Sequence, residues 1–487
     1  MPQENHFRFL NTEATLQEKE DWVSLSHDKL WMYNLHYFDD LTADNAKDRQ
    51  QWHKHLIQRW IQECPPGTDI AWDPYPTSLR IVNWIKYLLE QQQPEQPIID
   101  SLATQTRALR RNLEWHLLGN HLFANAKALI VAGLFFDGKE AAEWLQKGSR
   151  IMQDQLAEQI LPDGGQFELS PMYQCILLED ILDLIQFNNL YPGVICSDLI
   201  DQLNDCAPRM LEWLSVMTRP NGEIVQFNDA AQGIAAKPEW LFEYAERLGI
   251  QWQNKVSAPF IHLSDTGYVR VQNKAFTLFA DIGDIGPDYI PGHAHADSLN
   301  FELHLGDQPV IIDSGTSLYG TSTERLRQRT TTAHNTIELD GLSSSEVWGG
   351  FRVARRARAR LNRTDSTCPI VIDAQHDGYQ TLAGKSLHRR IWTIDQDSVR
   401  IRDLLPGEFA QAIARFHLHP DVIAEQTEEA SFKLLILNNQ LLHISFTTGQ
   451  SRLVPSTWHP EFGREVASNC LEVCFTQHEM VTTIVTR

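Results

Sequence analysis

Histidines and a carboxylate gather in one short run, Gly292-His293-Ala294-His295-Ala296-Asp297, which Asp313 and His334 follow. In an extended segment residues two apart face the same way, so His293 and His295 could enter one cavity, or a bend could separate their roles. His295, Asp313 and His334 offer the nitrogen and oxygen donors that zinc takes in three-ligand sites. The same spacing also occurs on polar strand faces that bind no metal. The motif alone leaves both interpretations open.

Two polar segments interrupt the apolar pattern in the first half of the chain. One is Gly119-Asn120-His121-Leu122, and the other is Asp163-Gly-Gly-Gln-Phe-Glu-Leu-Ser-Pro-Met-Tyr173, whose Ser-Pro step predicts a helix start. Each segment has a structural interpretation, because Asn120 could cap a helix and Tyr173 could be a packed aromatic with a bonded hydroxyl. Polar groups in such apolar surroundings nevertheless need a reason, so both segments are candidates for chemistry.

The densest basic stretch of the chain flanks His334. Its charge could hold an acidic sugar, although a run of charges is more often a solvent-facing strand. Arg80 could line a cleft among helices, or form a salt bridge beside a core aromatic at Trp84. The arginines of the basic stretch are Arg325, Arg327, Arg329, Arg352, Arg355, Arg356, Arg358 and Arg360.

The overall charge excludes some classes of partner. Among 487 residues, 42 basic and 63 acidic side chains give a formal net charge of -21, which argues against nucleic acid or an anionic membrane surface. No secretory signal pattern and no apolar run of bilayer length is present in the sequence. The 7 cysteines lack a close pair of the kind that binds zinc or exchanges disulfides, and they are expected to be buried thiols in a reducing compartment. We therefore expect a cytoplasmic protein, with the periplasm as the alternative.

The period of the apolar residues changes once along the chain. Between about residues 45 and 250 it is helical, with turns that leave room for roughly seven or eight helices. From about residue 260 the apolar residues recur at every second position, as in Thr266-Gly-Tyr-Val-Arg-Val. This period predicts more than about ten antiparallel strands. We expect a helical domain over residues 1–255, whose helical hairpins could close into a toroid, and an antiparallel β-sandwich over residues 256–487.

Taken together, GHAHADSLNFEL, PVIIDSG and RLRQRTTTAHNTIELDG resemble the signature of the heparinase II/III family, whose members cleave acidic polysaccharides by β-elimination. GNHLFANAKALIVAGLFF and DGGQFELSPMYQ resemble its two catalytic segments, so that the similarity extends from about residue 75 to about residue 345. The resemblance implies an incomplete (α/α) toroid followed by an antiparallel β-sandwich. It also implies a structural zinc ion held by His295, Asp313 and His334.

β-Elimination removes the C5 proton of a uronic acid, so the charge of the uronic acid's carboxylate must be neutralised. A base must take the C5 proton, and an acid must protonate the departing O4. By resemblance Asn120 neutralises the carboxylate, and Tyr173 is the acid and also a base, with His121 or His293 as its partner. A tyrosine has an unperturbed pKa of about 10, so a base role requires nearby groups that favour the phenolate. The residues expected to bind the acidic substrate are Arg80, Glu168, Arg325 and Arg329.

Three other functions remain open at this point. A uronate C5-epimerase begins with the same proton abstraction, and a glycoside hydrolase could use paired carboxylates from Asp163, Glu168 and Asp229. A non-catalytic glycan-binding protein is the third. The segment Leu30-Trp-Met-Tyr-Asn-Leu-His-Tyr-Phe-Asp-Asp40 resembles family members associated with making surface polysaccharides, which suggests a role in editing such a polymer.

Overall fold

The structure is a computed structural model, and it describes residues 1–91, 93, 95–382, 384, 386–437 and 440–486. The chain divides into two compact units. The first unit contains Met1–Gln159 and Glu179–Ala207, and the second contains Ile160–Leu178 and Pro208–Arg487. This division places some residues before 255 in the second unit, so the domain boundary at residue 255 stays a prediction of the sequence.

The first half of the chain is helical, as its apolar period predicts. Eight helices, α2 to α9, lie between residues 45 and 250 of the described chain. The helices are α1 Lys29–Tyr37, α2 Gln50–Glu63, α3 Pro74–Leu89, α4 Gln96–Arg111, α5 Gly119–Phe135, α6 Lys139–Gln159, α7 Pro171–Leu190, α8 Ser197–Val216, α9 Pro238–Arg247 and α10 Thr323–Arg329.

Helix α5 lies in the interior of the first unit, between α3 and α6. It is apolar around its whole circumference, as expected of a helix that is buried on every side. Gly148 of α6 allows a close approach, because a Cβ atom there would lie 2.8 Å from the carbonyl oxygen of Ala126. This packing fixes the first turn of α5, which carries Asn120 and His121.

The second half of the chain is rich in β-strands. Two short strands, β1 and β2, form a hairpin at the N-terminus, and the other strands follow residue 259. The strands are β1 His6–Phe9, β2 Thr12–Thr15, β3 Phe260–Leu263, β4 Tyr268–Gln272, β5 Phe276–Asp281, β6 Phe301–Leu305, β7 Gln308–Ile311, β8 Ile337–Leu339, β9 Val347–Trp348, β10 Arg352–Val353, β11 Ala359–Asp365, β12 Ile370–His376, β13 His388–Ile394, β14 Ser398–Leu404, β15 Ala412–Leu418, β16 Ile423–Glu428, β17 Ser431–Ile436, β18 Gln440–Phe446, β19 Gln450–Trp458, β20 Val466–Phe475 and β21 Glu479–Thr486.

Two large antiparallel sheets dominate the second unit. One has the order β11-β12-β13-β14-β21-β18-β17-β16, and the other has the order β19-β20-β15-β7-β6-β5-β4-β3, with β8 paired to β15. Side chains of both sheets, such as Trp392 of β13 and Phe416 of β15, belong to one apolar core. This pairing of strands explains the alternating apolar pattern seen in the sequence.

Strand β6 departs from that alternation, because all five of its side chains are buried. Phe301 and Leu303 contribute to the apolar core. On the other face, Glu302 accepts hydrogen bonds at 2.5 and 2.8 Å from Arg219, and this pairing offsets the cost of burying its charge. No helix within the described residues has the length and apolarity needed to cross a bilayer.

Candidate active site

Asp229 organises the candidate site of the second unit. Its Oδ2 atom lies 2.9 Å from Nδ1 of His293, and its Oδ1 atom lies 2.8 Å from Nε2 of His295. Arg325 donates to both oxygens, at 2.6 Å from Nη2 to Oδ2. Burial alone would raise the pKa of Asp229, but Arg325 and the two histidines hold that pKa well below its usual range. Asp229 is therefore a carboxylate at neutral pH.

Backbone contacts join the segment around Asp229 to the histidine motif. The amide of Asp229 donates to the carbonyl oxygen of His293 at 3.1 Å, and the Asn228 side chain accepts from the amide of His295 at 3.0 Å. The side chain of His293 is 14% exposed, whereas that of His295 is fully buried. Of the two histidines, His293 is therefore the one that a substrate can reach.

The hydrogen bond to Asp229 sets the tautomer of His293. An ionised carboxylate only accepts hydrogen bonds, so Nδ1 of His293 is the donor to Asp229 and Nε2 is the ring nitrogen left for a substrate. Nε2 lies 3.8 Å from Oε2 of Glu168, whose side chain is buried and also accepts from Gln166 at 3.2 Å. This arrangement suits a general base, because Asp229 stabilises the imidazolium that forms when Nε2 takes a proton.

The ring of Tyr173 contacts that of His293, with 4.2 Å between the ring centroids and 33° between the ring planes. It lies in the first turn of α7, which begins at Pro171 as the Ser-Pro step predicts. Its hydroxyl is 2.9 Å from that of Tyr319. Burial, Tyr319 and the carboxylates of Asp229 and Glu168 raise the pKa of Tyr173 well above its usual value. The phenol is therefore neutral at physiological pH and is suited to donating a proton.

Arg325 and Arg329 are fully buried in the second unit. Besides binding Asp229, Arg325 donates to the carbonyl oxygen of Gly350 at 3.2 Å. Arg329 donates to the carbonyl oxygen of Ala294 at 3.1 and 2.9 Å. Both guanidinium groups thus bind protein acceptors and hold the segment that carries His293. Neither side chain is exposed for the contact with substrate that the sequence predicts.

The predicted zinc ligands lie in the interior of the second unit, where His295, Asp313 and His334 are fully buried. Nδ1 of His334 is 2.8 Å from Oδ2 of Asp313, and the rings of His295 and His334 are 5.3 Å apart. Among the described residues, Nδ1 of His295, Nε2 of His334 and both carboxylate oxygens of Asp297 have no hydrogen-bond partner. Buried polar atoms rarely stay unpaired, and these donors are of the types that zinc binds.

The unpaired atoms are of the kind that bind a cation. The ligand atoms of His295, Asp313 and His334 do not, however, all lie within 4.8 Å of one another. Within the described part of the chain, Glu324, His459 and Glu465 meet that spacing, at a partly exposed position. Donor chemistry thus favours the buried group, and zinc binding there stays a prediction. Asp297, the carboxylate of the histidine motif, is a further ligand candidate, because both of its oxygens are among these unpaired atoms.

Asn120 and His121 lie in the first unit. Helix α5 begins at Gly119 with Leu118 as its N-cap, so Asn120 is not the cap, and its Nδ2 is 3.4 Å from the hydroxyl of Tyr75. Nδ1 of His121 lies 3.0 Å from Oε1 of the buried Glu114, and its ring is 4.4 Å from that of Tyr75. His121 is thus paired with a carboxylate in the same manner as His293.

Arg80 is enclosed within the first unit. Its guanidinium donates to Gln105 at 2.8 Å and to the carbonyl oxygen of His36 at 3.2 Å, and it lies 4.0 Å from the ring centroid of Trp60. Burial lowers its pKa to about 9. Trp84 is fully buried as a core aromatic. Arg80 is therefore an interior cation of the helical unit, with no exposed surface for a substrate.

The sequence interpretation missed two parts of this site. Asp229 was considered only as a hydrolytic carboxylate, and Tyr319 was not considered. The available signal for Asp229 was an Asn-Asp pair directly after the mostly apolar segment Ile-Val-Gln-Phe. Tyr319 had a weaker one, since it follows Asp313 in a Ser/Thr-rich segment.

Comparison with known proteins agrees with the sequence signature. Residues 21–252 match the family described as heparinase II/III N-terminus, and residues 255–486 match heparinase II/III-like, C-terminal. The chain belongs to the heparinase II/III family. Among curated members, a heparin-sulfate lyase of Bacteroides stercoris is 29% identical over 342 residues, which are 64% of this chain and 48% of that protein. The match thus spans about half the length of that relative.

A longer alignment relates this family member to FtsZ-localized protein C of Caulobacter vibrioides, with 23% identity over 82% of this chain and 72% of that protein. Among solved structures, heparinase III superposes with a TM-score of 0.75 at 17% identity, covering 94% of this chain and 76% of that chain. A chondroitinase AC lyase superposes with a TM-score of 0.52 at 11% identity, covering 92% and 72%. At these identities the likeness concerns the fold: a helical N-terminal part followed by a β-sheet-rich region.

Proposed function

We propose that the protein is a polysaccharide lyase that cleaves a uronic-acid-containing glycan by β-elimination. The observation that carries the proposal is the contact between the rings of Tyr173 and His293, whose centroids lie 4.2 Å apart. The phenol is neutral, and the imidazole is hydrogen-bonded to Asp229. An acid and a base side by side are what the elimination requires, since one proton leaves C5 and another reaches O4. Membership of the heparinase II/III family supports the same chemistry.

In the proposed reaction, Nε2 of His293 takes the C5 proton of the uronic acid. The electron pair of the C5–H bond forms a C4–C5 double bond, and the C4–O4 bond breaks. The hydroxyl of Tyr173 gives its proton to the departing oxygen, which leaves a phenolate beside an imidazolium. Asp229 stabilises the imidazolium during this step. The sequence interpretation gave Tyr173 both roles, whereas its raised pKa favours the acid role alone.

For Asn120 and His121, which lie in the first unit, we propose the catalytic roles that the family resemblance implies. The side-chain amide of Asn120 is assigned to the substrate carboxylate, whose charge must be offset when C5 loses its proton. His121 is the alternative base, because Glu114 orients its ring through Nδ1. For Glu168 we propose contact with the substrate, on the basis of its place near Nε2 of His293.

We also propose that His295, Asp313 and His334 hold zinc. The unpaired imidazole nitrogens support this assignment. The ion would supply structural cross-linking among the loops that carry its ligands. Asp229 binds both His293, the proposed base, and His295, a proposed zinc ligand. One carboxylate therefore orients both imidazole rings.

For the substrate we propose a glycosaminoglycan-like or surface polysaccharide that contains uronic acid. The support comes from relatives whose names describe heparin-sulfate lyases. We further propose that the helices form an incomplete (α/α) toroid and that the two large sheets form a β-sandwich. A cytoplasmic location, with the periplasm as the alternative, is proposed from the odd number of cysteines in the chain, 7. Cell fractionation tests this location.

The deciding experiment is incubation of the full chain with heparan sulfate, chondroitin, alginate and the surface glycans of its host, followed by mass spectrometry. A lyase yields products with an unsaturated uronate terminus and no added water. A C5-epimerase incorporates deuterium from heavy water without cleaving the chain, and a hydrolase adds water to its product. Binding without any turnover indicates a glycan-binding protein. Any of these last three results contradicts the lyase proposal.

A further inference from the structure

The hairpin of β9 and β10 carries two exposed aromatic side chains and an exposed arginine. We propose that Trp348, Phe351 and Arg352 form a binding subsite for an acidic sugar unit next to the reacting groups. In this subsite the aromatic rings stack on the pyranose and the guanidinium pairs with its carboxylate or sulfate. The inference rests on the proposed function for the identity of the polymer, although its test does not require turnover.

The base of the hairpin is packed against the histidine motif. Val347 and Val353 pair across the two strands, and both belong to a small apolar cluster with Ala294 and Ala296. These alanines alternate with His293 and His295 along the chain. The hairpin therefore shares its apolar foundation with the segment that carries the proposed base.

Buried arginines hold the tip of the hairpin. Arg325 donates to the carbonyl oxygen of Gly350 at 3.2 Å, and Arg329 donates to that of Gly349 at 3.3 Å. Gly350 lies so close to the main chain that a Cβ atom would come within 2.1 Å of the carbonyl oxygen of Gly320. The tip is thus fixed by hydrogen bonds and close packing, and a preorganised surface loses little entropy when a ligand binds.

Phe351 borders the candidate active site. Its ring centroid lies 5.3 Å from that of Tyr319 and 6.2 Å from that of His293. The guanidinium of the buried Arg325 lies 5.5 Å from the same centroid. Phe351 nevertheless remains 41% exposed. An apolar ring face beside the proposed base fits the apolar face of a pyranose whose C5 is to be deprotonated.

Charge distinguishes an acidic sugar from a neutral one at this hairpin. Arg352 pairs across the strands with Trp348, which is 55% exposed, so the two side chains share the outer face. The Arg352 side chain is itself exposed, and within the described part of the chain its guanidinium has no hydrogen bond or ion pair. In a chain of net charge -21, an unpaired cation beside an aromatic ring favours an anionic ligand.

Other arginines of the basic stretch have partners. Arg355 donates to the carbonyl oxygens of Ser343 and Ser344 at 2.8 and 2.7 Å. Arg356 and Arg358 bind Asp288 at 2.8 and 2.6 Å. These three side chains are therefore engaged within the protein. Arg352 remains available for a ligand.

The test measures binding by calorimetry in the Tyr173→Phe background, which removes turnover from the titration. The probes are a heparan sulfate tetrasaccharide, an oligogalacturonate and neutral maltotetraose. We expect Trp348→Ala and Phe351→Ala each to weaken binding of an acidic probe about tenfold. Arg352→Ala should weaken it similarly, with partial recovery in Arg352→Lys. Maltotetraose should bind weakly and lose nothing when Arg352 is replaced.

The matched controls are Trp240→Ala and Arg360→Ala. Trp240 is 42% exposed on α9, and Arg360 is an exposed residue of β11. Both variants should bind the acidic probes as the parent does. Phe351→Tyr keeps the ring and should retain affinity, while unfolding temperatures show whether Phe351→Ala is folded. Parent-like affinity in the three alanine variants overturns the subsite, as does failure of the parent to bind either acidic probe. Failure of the lyase proposal is a separate result, because it appears as missing unsaturated products from the unaltered protein.

Discussion

Nδ1 of His293 lies 2.9 Å from Oδ2 of Asp229, a residue that is 64 positions earlier in the chain. The carboxylate is buried and ionised, so it orients the imidazole and stabilises its protonated form. The same carboxylate binds Arg325 and His295, which links the proposed base to the proposed zinc group.

Replacing Asp229 with asparagine should therefore lower kcat by about 10²- to 10⁴-fold, because the amide no longer fixes the productive tautomer of His293. It should also destabilise the fold, since Arg325 would lose its buried counter-charge. Steady-state kinetics and urea unfolding measure the two effects. Asp421→Asn is the matched control, because Asp421 pairs with His419 at the surface, and equal losses in both variants would contradict the role of Asp229.

Tyr173→Phe should lower kcat by about 10²- to 10⁴-fold while leaving glycan affinity nearly unchanged, because only the proton donor is removed. Product formation and calorimetric titration separate these two quantities. Tyr191→Phe, at a partly exposed tyrosine beyond the end of α7, should behave as the unaltered protein. Full activity in Tyr173→Phe would exclude the phenol as the acid.

The stability of the protein should fall as the pH is lowered from about 6.5 toward 3, in part because of His36. Burial and the charge of Arg80 lower the pKa of His36 to about 3 in the folded protein. Its Nδ1 accepts a hydrogen bond from Trp60 at 3.1 Å, which protonation would break. The folded state thus binds fewer protons than the unfolded state in this window, so stability rises with pH up to about 6.5.

Urea unfolding at a series of pH values measures that dependence. The slope should be smaller in His36→Gln, which keeps a hydrogen-bonding side chain without the titration. His27→Gln, at a partly exposed histidine, is the control and should retain the slope of the parent. An unchanged slope in His36→Gln would refute the assignment.

Zinc should bind in a ratio of about one per chain and raise the unfolding temperature, because an ion that binds only the folded state stabilises it. Elemental analysis and thermal unfolding with and without a chelator measure this. His334→Ala should lose the ion, whereas His459→Ala, in the partly exposed group of Glu324 and Glu465, should retain it. The opposite pattern would place the metal in the exposed group.

Much of the architecture could be predicted from local patterns. The helical period before residue 250 and the two-residue period after residue 260 identify α2 to α9 and the antiparallel strands, because burial on one face imposes those periods. Likewise, the alternation in His293-Ala294-His295-Ala296 is sequence information. In the structure the two alanines of this segment join an apolar cluster, and both histidines are hydrogen-bonded to Asp229.

The environment of charged side chains could not be predicted in this way. Arg80, Arg325 and Arg329 were expected to contact an acidic substrate, but each is fully buried with its guanidinium bound to protein acceptors. Whether an arginine meets solvent or an internal carboxylate depends on residues distant in sequence. Desolvation and charge pairing are both consequences of that placement.

The sequence by itself determined the family signature, the order of helices before strands and the residues able to transfer protons. Only the tertiary structure decided which of those residues lie together: that Asp229 is hydrogen-bonded to His293, that Tyr173 is a phenol of raised pKa beside it, and that Arg352 is exposed while Arg325 is buried. The physical reason is that periodicity reports burial along one element. A pKa or an ion pair depends on distances between elements that the chain brings together only on folding.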